Sequence, residues 1–337
     1  MGFFERFLRP CRKFTDIFPI AMIETFLLMM VGSLIGLVVN RSLGLDIDLT
    51  PEILEQLITG ETELSDLTSL PAYLVCASNY TIFIGIWVAI ILAMLLPPSN
   101  RPMLKKFLFA REGNTVGRAL LGLLAGFGLN ATCVVISILL GNIELRFDHF
   151  EPMPLLFLFV SVLVQSGAEE ITCRQFLYQK LTRRYRHPLV AAVLSAVFFG
   201  ACHLGNTGMG PVPFAQVVII GILFSELIYY YDALWACIMM HTAWNYTQNI
   251  IFGLPNSGLV SLYSIFELRA ASSGPFFDAV FGVEGGIGAC ILLALSCVAL
   301  FVYAKRHNLG PKDLWADADQ KSEQSLPPAP GAPRHMA

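Results

Sequence analysis

Within a long apolar region the chain reads Gln165-Ser-Gly-Ala-Glu169-Glu170-Ile-Thr-Cys-Arg174. Mostly apolar residues precede this stretch at 154–164 and follow it at 176–178. A charge at the centre of a membrane helix costs about 2.5–3.5 kcal/mol, so three uncompensated charges would cost on the order of 8–10 kcal/mol. Such residues normally face the interior of a helix bundle, pair with one another and mark a functional site. The stretch therefore predicts an all-α, polytopic membrane protein with a polar site inside its bundle.

Two of the three charged residues in this stretch are placed to neutralise each other. Glu170 and Arg174 are four residues apart, so on a helix they share a face and can form an ion pair. Glu169 points about 100° away around the helix axis and is left without a local partner. The unpaired Glu169 is therefore the first candidate for chemistry.

The composition of the whole chain supports a membrane protein. Of 337 residues, 55% are hydrophobic and only 14% are charged, whereas soluble domains carry about 25% charged residues. The net charge of −3 and the lack of a basic stripe predict no nucleic-acid partner. The eight cysteines are scattered without a C-x-x-C pair, so we expect buried thiols and not a disulfide framework or a zinc knuckle.

Apolar runs long enough to cross a bilayer predict about eight transmembrane helices. They lie at 19–39, 72–96, 115–140, 154–181, 188–203, 212–230, 233–252 and 280–304. Every second loop is rich in Lys and Arg, which predicts that both termini are cytoplasmic. The first run is too long for a signal peptide and is expected to remain as a helix.

The same pattern divides the chain into five parts. These are a basic, amphipathic cytoplasmic lead-in (1–18), N-terminal transmembrane helices with a polar loop at 41–71 (19–149), a four-helix catalytic membrane core (150–252), a loop with the last transmembrane helix (253–305) and a disordered cytoplasmic tail (306–337). In the polar loop, Thr50-Pro51 predicts the start of an amphipathic helix. Gly122, Gly126 and Gly128 predict close helix packing.

Further polar residues interrupt the later apolar runs. His203 follows Phe199 by four residues, and Asn245 follows His241 by four, so each pair shares a helix face. Counted with the helical rise from the nearest charged markers, the depths are roughly 20 Å for Glu169, 24 Å for His203, 13 Å for His241 and 19 Å for Asn245. Three separate helices are thus expected to bring these four side chains to overlapping depths.

Such a set of side chains is suited to activating water. A carboxylate in a partly desolvated site is a plausible general base near neutral pH, and a histidine beside it can share the proton. A second histidine and an amide can donate hydrogen bonds to a developing oxyanion. The combination predicts hydrolysis of an amide bond.

Three motifs in this region resemble the signature motifs of a known family. They are E-E-x-x-x-R at 169–174, F-x-x-x-H at 199–203 and H-x-x-x-N at 241–245. Together they resemble the CPBP intramembrane endopeptidases, the group of type II CAAX prenyl proteases that is also labelled Abi or bacteriocin-processing. The resemblance covers about residues 150–252.

The resemblance implies roles for the motif residues. Glu169 would be the general base acting on water with His203, and His241 and Asn245 would form an oxyanion hole. The residues expected to support the site are Glu170, Arg174 and Phe199. The implied partners are the lipid bilayer and a membrane-associated, prenylated or leader peptide.

The resemblance also implies that no cofactor is obligatory. If the reaction did need zinc, Glu169, His203 and His241 would be the available ligands, although the chain has no H-E-x-x-H pair.

Two readings from other functional classes remain open. The chain could be a non-catalytic membrane immunity or scaffold protein that acts by binding. It could also be a proton-coupled transporter with Glu24, Glu169, Glu170 and Glu226 as a relay, although the sequence shows no inverted repeat.

Overall fold

The computed structural model describes residues 13–45, 53, 56–57, 61–109, 113–185 and 187–315. Helices dominate these residues, which confirms the predicted polytopic helical class, and one small sheet joins them. The helices are α1 (Phe18–Ser42), α2 (Leu64–Leu67), α3 (Ala72–Thr81), α4 (Ile84–Leu95), α5 (Val116–Leu139), α6 (Pro152–Glu170), α7 (Tyr178–Arg184), α8 (Pro188–Cys202), α9 (Pro211–Tyr231), α10 (Leu234–Tyr246) and α11 (Ile287–Arg306). The strands are β1 (Ile143–Phe147) and β2 (Phe266–Ala271).

Six helical segments of the described chain are long and apolar enough to cross a membrane. They are α1, Ala72–Leu95, α5, Pro152–Arg184, α9 and α11. The predicted spans at 188–203 and 233–252 correspond to α8, which has 15 residues, and to α10, which has 13 residues and continues as the five-residue π-helix Thr247–Ile251. The count of eight is therefore not confirmed, because a bilayer core needs about 20 helical residues. The last span begins at Ile287, and not near residue 280, because Val283–Gly285 forms a separate 3₁₀ turn.

Several predicted segments lie wholly or partly outside the described residues. Residues 1–12 of the lead-in do, and so does most of the helix predicted from Thr50-Pro51. The tail is described as far as Trp315, whose buried indole donates a hydrogen bond to the Gln179 carbonyl at 2.9 Å. The first residues of the tail thus pack on α7, and its disorder further on stays a prediction.

Ion pairs connect α7 to the start of the described chain. Arg183 donates to both carboxylate oxygens of Asp16 at 2.7 and 2.6 Å, and both side chains are buried. Lys180 pairs with Glu24 on α1. Glu24 is therefore the partner of a buried lysine, which removes the first acid from the relay that a transporter would need.

The small sheet joins the loop after α5 to the loop after α10. β1 and β2 are antiparallel, with Leu145 opposite Leu268 and a register shift between Glu144 and Leu145. Both loops are among those with few Lys and Arg residues, which are predicted to lie on the same side of the membrane. Their contact agrees with that prediction. The side that faces the cytoplasm stays a prediction.

Close packing of α5 against α10 depends on glycines. A Cβ at Gly122 would fall on the backbone of Ala236, and a Cβ at Gly126 would fall on the carbonyl oxygen of Met240. Gly128 faces open space, so the prediction that it takes part in the packing is wrong. The contact fixes the position of the helix that carries His241 and Asn245.

We expect the G126A variant to lose about 1–3 kcal/mol of unfolding free energy, because the added methyl group meets backbone that cannot rotate away. The matched control is G128A, which adds the same methyl group to the same helix in open space. Unfolding of both variants in detergent micelles measures the difference. Equal losses for the two variants would contradict this packing.

Candidate active site

One cavity gathers the side chains predicted to carry the chemistry. It has a volume of about 230 Å³ and is lined by Glu169, His203, His241 and Asn245. These residues come from α6, α10 and the end of α8. The volume is sufficient for a few water molecules. Phe199 also lines the cavity, whereas Glu170 and Arg174 lie behind its wall.

The carboxylate of Glu169 has one hydrogen-bonded oxygen and one buried oxygen without a hydrogen-bond partner among the described residues. Its Oε1 accepts a hydrogen bond from Gln165 Nε2 at 2.5 Å. Its Oε2 has no hydrogen-bond partner in the described part of the chain and lies 3.6 Å from His241 Nε2, which is longer than a hydrogen bond. Gln165 is four residues earlier on the same helix face, so the expectation that Glu169 lacks a local partner is wrong.

Glu170 holds the other nitrogen of the His241 ring. Its Oε1 accepts a hydrogen bond from His241 Nδ1 at 2.9 Å, and its Oε2 lies 3.2 Å from Arg174 Nε. The predicted ion pair between Glu170 and Arg174 is thus present, and both side chains are 0% exposed. Carboxylates on both sides of the imidazole favour the ring form that carries a proton on each nitrogen.

The guanidinium of Arg174 is enclosed by aromatic rings. Its Cζ lies 4.5 Å from the ring centroid of Phe199 and 5.2 Å from that of Phe224. Neither terminal nitrogen has a hydrogen-bond partner among the described residues, so the ring faces take the place of polar partners. Phe224 also stacks on the His241 ring, at 5.6 Å. Phe199 thus contacts Arg174, and its supporting role stays a prediction.

His203 lines the cavity and holds one of its ring nitrogens on its own helix. It caps the C-terminal end of α8, and its Nδ1 lies 2.8 Å from the carbonyl oxygen of Phe199. Because a carbonyl only accepts, Nδ1 is the nitrogen that donates, and Nε2 of the neutral ring is the acceptor. An acceptor nitrogen in the cavity wall can take a proton and pass it on.

Asn245 is held by the residue that also holds Glu169. Its Nδ2 donates to Gln165 Oε1 at 3.1 Å. An amide group has two N–H donors, so the second remains to be used inside the cavity. Gln165 thus fixes the spacing between the candidate base and the candidate oxyanion donor, a role that the sequence analysis missed.

A second carboxylate in the cavity wall was also missed. Glu284 lies between β2 and α11 and lines the cavity, although it is only 5% exposed. Burial raises the pKa of this carboxyl, while hydrogen bonds from Ser257 and Trp244 and the nearby rings of His203 and His241 act in the opposite direction. Glu284 stands far along the chain from the three motifs, and no local pattern marks it.

Two π-helical segments lie next to the site. They are Ile171–Leu177, which follows Glu170 directly, and Thr247–Ile251, which follows the turn with Asn245. Such segments are rare and are found most often at functional sites. Glu170 and Arg174 form their ion pair across the start of the first segment, because a separation of four residues is close to one turn in either kind of helix.

The metal alternative has no support from the arrangement of side chains. Among the described residues, no group of three or more His, Cys, Asp or Glu is arranged to hold a metal ion. Glu169, His203 and His241 therefore do not form such a group either. Independence from cofactors stays a prediction.

Comparison with known proteins gives one match. Residues 151–247 match the family described as Type II CAAX prenyl endopeptidase Rce1-like. This part of the chain, from the start of α6 to the end of α10, resembles that family. No curated protein and no solved structure matches the chain.

All seven residues of the three motifs lie inside the part matched to the Type II CAAX prenyl endopeptidase family, and Glu284 lies outside it. The match to an endopeptidase family supports a peptide hydrolase. Together with the six apolar helices, it supports an integral membrane protein.

Proposed function

We propose that this protein is an intramembrane endopeptidase in which Glu169 activates a water molecule. The observation that carries the proposal is the buried carboxylate oxygen of Glu169 that has no hydrogen-bond partner among the described residues, on a side chain that lines one cavity with His203, His241 and Asn245. These are a base, a proton acceptor and two hydrogen-bond donors, which is the set that amide hydrolysis needs.

In the proposed reaction Glu169 takes a proton from water while the water oxygen bonds to the carbonyl carbon of the peptide. The carbonyl oxygen becomes an oxyanion, to which His241 Nε2 and the second N–H of Asn245 donate. His203 Nε2 then relays the proton to the leaving nitrogen as the carbon–nitrogen bond breaks. The products are a carboxylic acid and an amine, and Glu169 returns to its starting state.

The residues behind the wall support this reaction through His241. Glu170 binds Nδ1 at 2.9 Å and so turns Nε2 towards the cavity. Arg174 neutralises Glu170 from the far side. Neither residue needs to touch the substrate.

The proposed substrate is a membrane-associated peptide, either prenylated near its C-terminus or a leader peptide. The family description names prenyl endopeptidases, which favours the prenylated class. We also propose that both chain termini are cytoplasmic, as the basic loops predict.

A pair of peptides with the same sequence, one prenylated and one not, tests the proposal on the purified protein in liposomes. We expect cleavage of the prenylated peptide, and we expect a strong chelator to leave its rate unchanged. Loss of cleavage with chelator and recovery with zinc would contradict the metal-free mechanism. Tight binding of the peptide without any cleavage would favour the immunity or scaffold function.

The N245A variant removes one of the two proposed oxyanion donors. We expect kcat to fall by about 10²- to 10³-fold with little change in KM, because the lost hydrogen bond forms mainly in the transition state. Steady-state kinetics on the prenylated peptide measures this split. A higher KM at unchanged kcat would instead assign Asn245 to substrate binding.

A further inference from the structure

Glu284 is a buried carboxylate for which the proposed reaction has no use. It precedes α11, lies outside the matched residues 151–247 and is 5% exposed. A buried carboxylate is costly unless it is paired or well hydrogen-bonded. Its partners therefore indicate what it does.

Both carboxylate oxygens of Glu284 accept hydrogen bonds. Oε1 accepts from the indole Nε1 of Trp244 at 3.0 Å, and Oε2 accepts from Ser257 Oγ at 2.5 Å. Trp244 is fully buried on α10 and directly precedes Asn245. One oxygen thus holds the helix that carries the candidate oxyanion donors.

The other oxygen connects to the turn that carries His203. The carbonyl of Ser257 accepts from Asn206 Nδ2 at 3.0 Å, and the backbone N–H of Asn206 donates to the His203 carbonyl at 3.0 Å. Beside them, Gly258 has φ +85°, and a Cβ there would meet the backbone carbonyl of Thr207. The segment 256–258 is therefore docked on the turn after α8.

The turn depends on this docking because α8 ends at Cys202, directly before His203. His203 itself is held on the end of α8, through its backbone N–H on the Gly200 carbonyl and its Nδ1 on the Phe199 carbonyl, whereas the turn that follows it lies beyond the helix. The contacts of the segment 256–258 thus constrain this turn, and with it the end of α8 that carries His203, relative to α10.

We propose that Glu284 is a positioning residue that holds the His203 turn and α10 at a fixed separation across the cavity. This inference rests on the proposed function, since it assigns the proton relay to His203 and the oxyanion donors to α10. A misplacement of a reacting group by about 1 Å is enough to cost on the order of 100-fold in rate. The link between the two sides therefore has a direct effect on catalysis.

The link is strongest with a carboxylate. Trp244 Nε1 is only a donor, and the Ser257 hydroxyl donates to Oε2. A carboxylate accepts from both in charge-assisted hydrogen bonds, whereas a glutamine presents one acceptor and one NH2 group. In the E284Q variant the Ser257 hydroxyl therefore has to turn and accept from the NH2 group, and neither hydrogen bond is charge-assisted any longer.

The test compares E284Q with E267Q, which makes the same change in an exposed residue of the same loop. For E284Q we expect kcat to fall roughly 10- to 100-fold, with KM within about twofold of the wild-type value. We also expect faster hydrogen–deuterium exchange in residues 203–209 and 255–260. E267Q should change neither kinetics nor exchange in those segments.

A folded E284Q protein with wild-type kcat and wild-type exchange would overturn the proposal. If E284Q fails to fold, the S257A variant tests the proposal instead. It removes the hydrogen-bond donor at the partly exposed end of the link and keeps the negative charge of Glu284. Unchanged kcat and exchange in S257A would then overturn it. Because exchange is measured without a substrate, the positioning role can fail or stand independently of the peptidase activity.

Discussion

Replacing Glu169 by glutamine is expected to lower kcat for the prenylated peptide by about 10²- to 10⁴-fold, the range that a general base contributes. The amide keeps the size of the side chain and cannot take a proton from water. Because Glu169 Oε2 accepts no hydrogen bond from the described residues, the substitution breaks no hydrogen bond of that oxygen, although it removes one of the two carboxylates beside the His241 ring. KM and the unfolding midpoint are therefore expected to change little.

The matched control for this variant is E226Q. Glu226 is also an acid within a predicted span, on α9, but it is not among the residues that line the cavity. We expect E226Q to cleave at the wild-type rate, and stopped cleavage in E226Q would revive the proton-relay reading. If E169Q kept full cleavage, the assignment of the base would be wrong. If E169Q lost no cellular function while cleavage disappeared, the protein would act by binding.

The R174M variant is expected to lose about 3–5 kcal/mol of unfolding free energy, the range seen when one partner of a buried ion pair is removed. Methionine fills part of the space between Phe199 and Phe224 but leaves the charge of Glu170 uncompensated on that side. Glu170 and Arg174 are both 0% exposed, so water cannot take over. Unfolding in detergent micelles measures the loss.

An exposed ion pair in the same protein supplies the control. Arg146 lies 3.0 Å from Glu267 on the sheet, and their side chains are 62% and 43% exposed. Because exposed pairs contribute about 0–1 kcal/mol, R146M should be nearly neutral. Equal losses in R174M and R146M would show that the Glu170–Arg174 pair does not hold the core.

The sequence was sufficient to predict the contacts that follow from helical spacing. The pairing of Glu170 with Arg174 needs only a separation of four residues on one helix. The convergence of Glu169, His203 and His241 followed from the depths of polar residues in apolar runs, since a membrane aligns helices side by side. In both cases the position of a residue along its helix is enough to fix where its side chain lies.

Other contacts could not be predicted because they join distant segments. Glu284 reaches Trp244 across 40 residues, and β1 pairs with β2 across more than a hundred. Neither pairing leaves a periodic signal in either partner.

The π-helical segment Ile171–Leu177 has a consequence for the two ends of the long segment Pro152–Arg184. One additional residue in a helix rotates all that follows by about 100° around the helix axis. The π-helical segment therefore changes the direction in which the side chains of α7 point relative to those of α6. On the α6 side the phase is fixed by Glu169 in the cavity, and on the α7 side by Arg183 on Asp16. In a regular α-helix of this length, the rotation that places Glu169 in the cavity would also fix the direction of Arg183. The wider turn thus lets the catalytic face and the anchoring face of one continuous helix be set separately, and substitutions at one end need not be matched by substitutions at the other.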